Sequence, residues 1–170
     1  DDVVTAVGIT KGAFYHHFKT KEQLCEAVLD LAAEAYQQLA DSMQEQSTPS
    51  EPLSAWFQRL IEIQNSGQWP YDRLIGRLAV EFGSLNAGCQ NKLRLFWNWC
   101  RTFYESLVSQ AFAARNITPA VDVSTLARLF AATYFGTVWL ERCAASEESL
   151  ISNMENLLSL VLSQGTSTQE

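Results

Sequence analysis

The chain has 170 residues, 47% hydrophobic and only 18% charged, with a net charge of -7 at neutral pH. That is enough chain for one ordinary domain, or for a very small domain attached to a larger one, built around a large core. The acidic balance excludes a protein that binds nucleic acid over its whole surface. No stretch reaches the ~20 apolar residues of a membrane span and no signal-peptide pattern is visible, so the expectation is a cytoplasmic protein.

Asp1 to Val7 reads as a helix, with Val3, Val4 and Val7 on its apolar side, and Gly8 is placed to end it because glycine tolerates positive φ. Thr10 then caps a second, short helix running to Phe18. Phe14 and Phe18, four apart, share its inward face, leaving Lys11, Ala13, Tyr15, His16 and His17 outward or sideways. Between Val3 and Lys21 there are three lysines, two histidines and a tyrosine, and no Asp or Glu. This is a surface suited to phosphate, and a helix, a glycine turn and a second helix with a hydrogen-bonding outer face is the geometry that enters the DNA major groove. Residues 22–170 keep nine of the twelve basic and seventeen of the nineteen acidic residues, so an acidic body lies behind a basic end and helps to orient it toward DNA.

The run Gly8-Ile9-Thr10-Lys11-Gly12-Ala13-Phe14-Tyr15-His16-His17-Phe18-Lys19-Thr20-Lys21-Glu22 resembles the helix-turn-helix signature of the TetR family of bacterial transcriptional repressors. The resemblance implies an all-α fold: a DNA-binding domain over 1–21, incomplete because that family carries a further helix ahead of this point, a helical ligand-binding and dimerisation domain over 22–163, and a flexible tail over 164–170. It implies DNA contacts through Thr10, Lys11, Gly12 and Ala13 at bases or the adjacent backbone, and through Tyr15, His16 and Lys21 at phosphates. Long donors near the helix tip reach guanine or phosphate oxygens, Gly12 lets the duplex come close, and Lys21 adds charge at the start of the next helix.

Thr20-Lys21-Glu22-Gln23 is a capping box that opens a long helix to about Gln44, with an expected apolar stripe of Leu24, Val28, Leu31, Ala35 and Leu39. Leaving the DNA-binding end for the body, this helix is the natural lever between them. Residues 46–52 read as a loop. Leu53, Trp56, Phe57, Leu60 and Ile61 mark a helix that Ser66 to Pro70 ends. Another runs from about Tyr71 to Leu85, with Leu74, Leu78, Val80 and Phe82 apolar and Arg73, Arg77 and Glu81 polar, and Asn86-Ala87-Gly88 is placed to bend or break it. Leu93, Trp97, Cys100, Tyr104, Leu107, Val108 and Ala111 form the clearest stripe. Two last helices run from about Ser124 to Cys143 and from about Glu147 to Leu162, and no window alternates with period two for long enough to suggest a sheet.

The body's rings read equally well as core and as the lining of a cavity. The resemblance implies the second, an effector cavity walled by Trp56, Phe82 and Trp97, with Arg77, Glu81, Arg101, Tyr104, Tyr134 and Thr137 orienting a small molecule. It also implies that the two last helices build an intermolecular four-helix bundle, Gly136 permitting close approach. The expected partners are therefore a double-stranded DNA operator, a small-molecule effector and a second copy of the chain, without a membrane. The alternative is a helical small-molecule binder or interaction module that does not engage DNA. No catalytic motif is present, so no enzyme and no cofactor are expected. Adjacent His16 and His17 point about 100° apart on a helix and make no metal site. Cys25, Cys89, Cys100 and Cys143 lack C-x-x-C or zinc spacing and read as reduced, buried thiols, a redox sensor being the alternative that nothing in the spacing supports.

Overall fold

The computed structural model describes residues 10–45, 51–144, 148–163 and 166–167, and the expected helix over 1–7 lies outside them. The fold is all-α. The short helix α1, Lys11–His17, is capped as expected: the Thr10 Oγ1 accepts from the Ala13 N–H at 3.1 Å. It ends at Phe18, whose N–H donates to the Phe14 carbonyl at 2.9 Å.

The long helix α2, Lys21–Glu45, starts at the capping box. The Gln23 N–H donates to Thr20 Oγ1 at 3.2 Å, while Gln23 Oε1 reaches one residue beyond the cap and accepts from the Lys19 N–H at 2.7 Å. The buried row of α2 is Leu29, Ala32, Tyr36 and Ala40, not the expected Leu24-Val28-Leu31-Ala35-Leu39 row, whose Leu31 is 53% exposed. Both rows have helical spacing and lie side by side. The choice between them belongs to the partner helix, which sits over the row holding Tyr36 and the small Ala32 and Ala40.

Helix α3, Pro52–Asn65, buries Leu53, Trp56, Phe57 and Leu60, and the chain turns through Gly67 at φ 69°, a conformation that glycine adopts without a Cβ clash. Helix α4, Tyr71–Val80, is shorter than expected; a 3-10 turn, Phe82–Ser84, separates it from α5, Ala87–Ala113. Asn86 explains the break: its Oδ1 accepts from the Cys89 N–H at 3.0 Å, so the residue that seemed fit to bend one helix caps the next. The buried face of α4 is also rotated from expectation, to Asp72, Ile75 and Gly76. At Gly76 a Cβ would run into the Trp139 indole of α6, so α4 and α6 meet where one has no side chain.

Helix α5 threads the middle of the bundle, burying Cys89, Leu93, Phe96, Cys100, Tyr104, Leu107, Val108, Ala111 and Phe112. Phe96 rather than Trp97 fills the second turn of the stripe, leaving Trp97 half-buried against Phe135. Helix α6, Val123–Ala144, packs along α5, and α7, Glu148–Ser163, packs on α6 and α3. Two-residue strands β1, Ile117–Thr118, and β2, Thr166–Ser167, pair antiparallel; part of the segment read as a flexible tail thus has backbone partners, supplied by a distant loop that sequence spacing does not reveal.

The core runs unbroken from α2 through α5 to α3 and α6. Leu93 is fully buried at its centre. Leu93→Ala is expected to lower unfolding stability by ~2–5 kcal/mol, read as a drop in the urea midpoint with an unchanged slope.

Candidate nucleic-acid interface and the polar core behind it

The short helix is anchored by Phe14, 8% exposed, whose ring lies 5.8 Å from Phe18. With that root fixed, Tyr15 is 54% exposed, and Thr10, Gly12, Ala13, His16, His17, Lys19, Thr20 and Lys21 are all exposed. The side chain of Lys11 lies outside the described residues, although its backbone begins α1. The structure therefore gathers the other six expected contact residues, Thr10, Gly12, Ala13, Tyr15, His16 and Lys21, on or beside one solvent-facing helix. Lys19 joins them, with its Nζ donating to the Tyr15 carbonyl at 3.2 Å. Glu22, the first acid after the ridge, is held ionised below the usual carboxylate range by its backbone hydrogen bond and by Thr20.

The family description "Bacterial regulatory proteins, tetR family" matches residues 1–28, the segment that carries this ridge. Over that segment the chain is similar to the TetR family. It is 28% identical over 110 residues to the HTH-type transcriptional repressor DhaR of Mycobacterium sp. (strain GP1), covering 63% of this chain and 54% of that protein. It is 38% identical over 65 residues to the HTH-type transcriptional repressor KstR2 of Mycolicibacterium smegmatis, covering 36% of this chain and 30% of that protein. The chain thus spans about half the length of the first of these relatives and less of the second. The fold likeness is wider: a TetR-family regulator from Agrobacterium tumefaciens superposes with a TM-score of 0.84 at 16% identity, covering 94% of this chain and 84% of that one.

The nine residues expected around an effector separate into two groups. Trp56, Tyr104, Tyr134 and Thr137 are buried, and Trp97 is half-buried. Arg77, Glu81 and Arg101 stand on the outside: Arg77 pairs with Glu81 at 3.5 Å and Arg101 with Glu105 at 2.9 Å, both one helical turn apart. Phe82 lies under the Arg94 guanidinium, 4.9 Å from its ring centre. The rotation of α4 is the reason, because burying Asp72, Ile75 and Gly76 turns Arg77 and Glu81 to solvent.

The interior polar centre is one that the sequence pattern did not single out. Asp72, fully buried in the first turn of α4, accepts from the Tyr134 hydroxyl at 2.7 Å, from the Trp69 Nε1 at 3.2 Å and from the Gln64 Nε2. An aspartate just after a proline at a helix start reads as a surface residue favoured by the helix dipole, and nothing local says otherwise. The one available signal was its neighbour Trp69, an aromatic with a donor to satisfy. Beside this cluster the Trp56 Nε1 donates to the Tyr104 hydroxyl at 3.1 Å. The Tyr36 hydroxyl is buried without a hydrogen-bond partner among the described residues, its ring set edge-on to Trp69 and Phe96.

Clefts among the described residues open on the body. One of about 420 Å³ lies between α2 and α5, lined by Glu26, Asp30, Lys92, Phe96 and Trp99 among others, and one of about 260 Å³ lies between α3 and α7, beside Phe57, Ile61, Met154 and Leu158. None of the nine expected effector residues lines either. Across the first cleft Lys92 bridges to Asp30 at 2.7 Å. Among the described residues no group of three or more His, Cys, Asp or Glu could hold a metal ion, and no helix is long and apolar enough to cross a membrane.

Burial raises the Asp72 carboxyl from 3.8 to about 7, against the opposing pull of the Tyr134 hydrogen bond. Its folded value therefore lies above its unfolded one. Between about pH 4 and pH 7 the folded chain keeps a proton that the unfolded chain has lost, so stability falls as pH rises through that window, by at most about 4 kcal/mol. In urea unfolding from about pH 4.5 to pH 8, Asp72→Asn is expected to flatten this decline. An equal decline in the variant would assign the proton elsewhere.

Proposed function

We propose that the chain is a DNA-binding transcriptional repressor that acts as a homodimer on a palindromic operator and is released by a small-molecule effector. The observation that carries this reading is the ridge itself: Tyr15, His16, Lys19 and Lys21 are exposed on and just after a helix rooted by Phe14, in a segment without a carboxylate from residue 3 to residue 21. Thr10, Lys11, Gly12 and Ala13 are assigned to bases and the neighbouring backbone, and Tyr15, His16 and Lys21 to phosphates. The names of DhaR and KstR2 as repressors support the direction of regulation.

Two copies of α1 read a palindrome when a dimer holds them about one DNA turn, ~34 Å, apart. The surface assigned to that dimer is on α6 and α7, where Leu129, Trp139, Leu140 and Leu160 are exposed and a Cβ at Gly136 would meet open space. Single exposed apolar residues are ordinary, and four on the two last helices favour a partner that covers them. Helix α2 runs from the ridge into this body, and the cleft between α2 and α5 gives a small molecule a place to press on the lever. Release requires the effector to bind the released arrangement more tightly than the DNA-bound one.

The phosphate assignment is tested by the salt dependence of binding to random-sequence duplex DNA. Affinity is expected to fall steeply with salt, and Lys21→Ala to reduce the log-log slope by about one unit; the absence of any salt-dependent affinity for duplex DNA would return the protein to the class of helical binders that do not engage DNA. For the dimer surface, Leu140→Glu places a charge on a residue that is 69% exposed. The variant is expected to sediment as a folded monomer while the parent sediments as a dimer, and a variant that stays dimeric moves the interface off α6.

A further inference from the structure

The first turns of α2 and α5 meet in a contact that the reading above does not use. Glu26 of α2 accepts from the Asn86 Nδ2 at 2.8 Å, and Gly88 lies so close that a Cβ there would strike the Glu26 carboxylate. One residue on, the buried Cys89 Sγ donates to the Glu22 carbonyl of α2 at 3.8 Å. Cys25 stands three residues after Glu22, and a helical side chain leans over the turn on its N-terminal side. The Cys25 thiol is thereby brought over Glu22, where Cys89 arrives from the other helix. Cys25 is half-buried and Cys89 buried, and both are free.

We propose that Cys25 and Cys89 form a dithiol site that closes to an intramolecular disulfide on exposure to a peroxide, tying the first turn of α2 to the first turn of α5. Cys25, the more accessible of the two, attacks first: its sulfur takes one peroxide oxygen, the O–O bond breaks, and the departing hydroxide leaves as water with the Cys25 proton. Cys89 then attacks the sulfenic sulfur of Cys25, the S–O bond breaks, and a second water leaves with the Cys89 proton. Two thiols and one hydrogen peroxide give one disulfide and two waters, a two-electron oxidation.

The order of attack follows from the surroundings. Burial, the Cys25 thiol and the nearby Glu26 and Glu22 carboxylates all push the Cys89 thiol up, so Cys89 keeps its proton and resists direct oxidation. Its place beside Cys25 fits it to resolve a sulfenic acid already formed there. The bond would join the lever, a few residues beyond the DNA ridge, to the central helix of the body, and so hold α2 in the arrangement described here.

The test needs no DNA, so its failure leaves the repressor reading standing. The purified protein is treated with hydrogen peroxide under native conditions, remaining thiols are alkylated after unfolding, and peptides are mapped without reduction. The expected result is a monomer-mass product lighter by two hydrogens, with the Cys25 and Cys89 peptides linked, reversed by dithiothreitol, and absent in Cys25→Ser, whose half-exposed position spares the fold. Three results would overturn the proposal: Cys25 carried to sulfinic or sulfonic acid with Cys89 still alkylated, a disulfide linking other cysteines or two chains, or both thiols left free.

Discussion

The contact on which the rest of the structure depends is the packing of α2 against α5. Leu29, Ala32, Tyr36 and Ala40 on one helix and Cys89, Leu93, Phe96 and Cys100 on the other are all in the buried core, and that face is joined at its upper end by Glu26 with Asn86 and midway by Asp30 with Lys92. Helix α2 also carries the exposed ridge at its amino end, with three residues between it and the end of α1. The direction in which Tyr15 and Lys21 face is therefore set through α2 by how that helix lies on α5. The polar pairs at its rim are exposed and contribute little on their own; apolar burial holds the pair together, and the polar pairs fix where one helix stops along the other.

Behind that seam the apolar interior encloses a polar centre at Asp72. A carboxylate without exposure to water would ordinarily be excluded from a core. Here three donors from α3, the α3–α4 turn and α6 converge on Asp72, so the charge is compensated by hydrogen bonds rather than by a cation. The arrangement links the ends of three segments that the apolar contacts would leave free to slide. It also places a group that changes protonation near neutral pH at the centre of the body, within reach of Tyr134, whose hydroxyl burial and the Asp72 charge push well above its ordinary range.

Several expectations failed in one recurring way. On α2 and again on α4 the apolar stripe was read one row away from the face that is buried, because a sequence with apolar residues on two adjacent rows has two helical solutions about 100° apart. The small residues resolve the ambiguity, Ala32 and Ala40 on α2 and Gly76 on α4, since a close partner helix selects the row that lets it approach. The rotation of α4 carries Arg77 and Glu81 outward and Asp72 inward, so a shift of one row exchanged three of the charged residues between surface and core. Arg101 was misplaced for a different reason: its partner Glu105, one turn along α5, satisfies it on the surface.

The sequence by itself determined what is local. Thr10 and Thr20 as caps, the two-phenylalanine root of α1, the Gly67 turn and the acid-free ridge all follow from groups within four residues of one another, whose hydrogen bonds close whatever the rest of the chain does. The family resemblance rested on the same short run. Only the tertiary structure decided which row of each long helix is buried, that Asp72 sits at a buried polar centre, that Cys89 reaches the turn of α2 next to Cys25, and that residues 166–167 find a strand partner at 117–118. Each of these depends on where a distant helix or strand comes to lie, a choice made by shape and burial over the whole core and left unmarked in the spacing of any single segment.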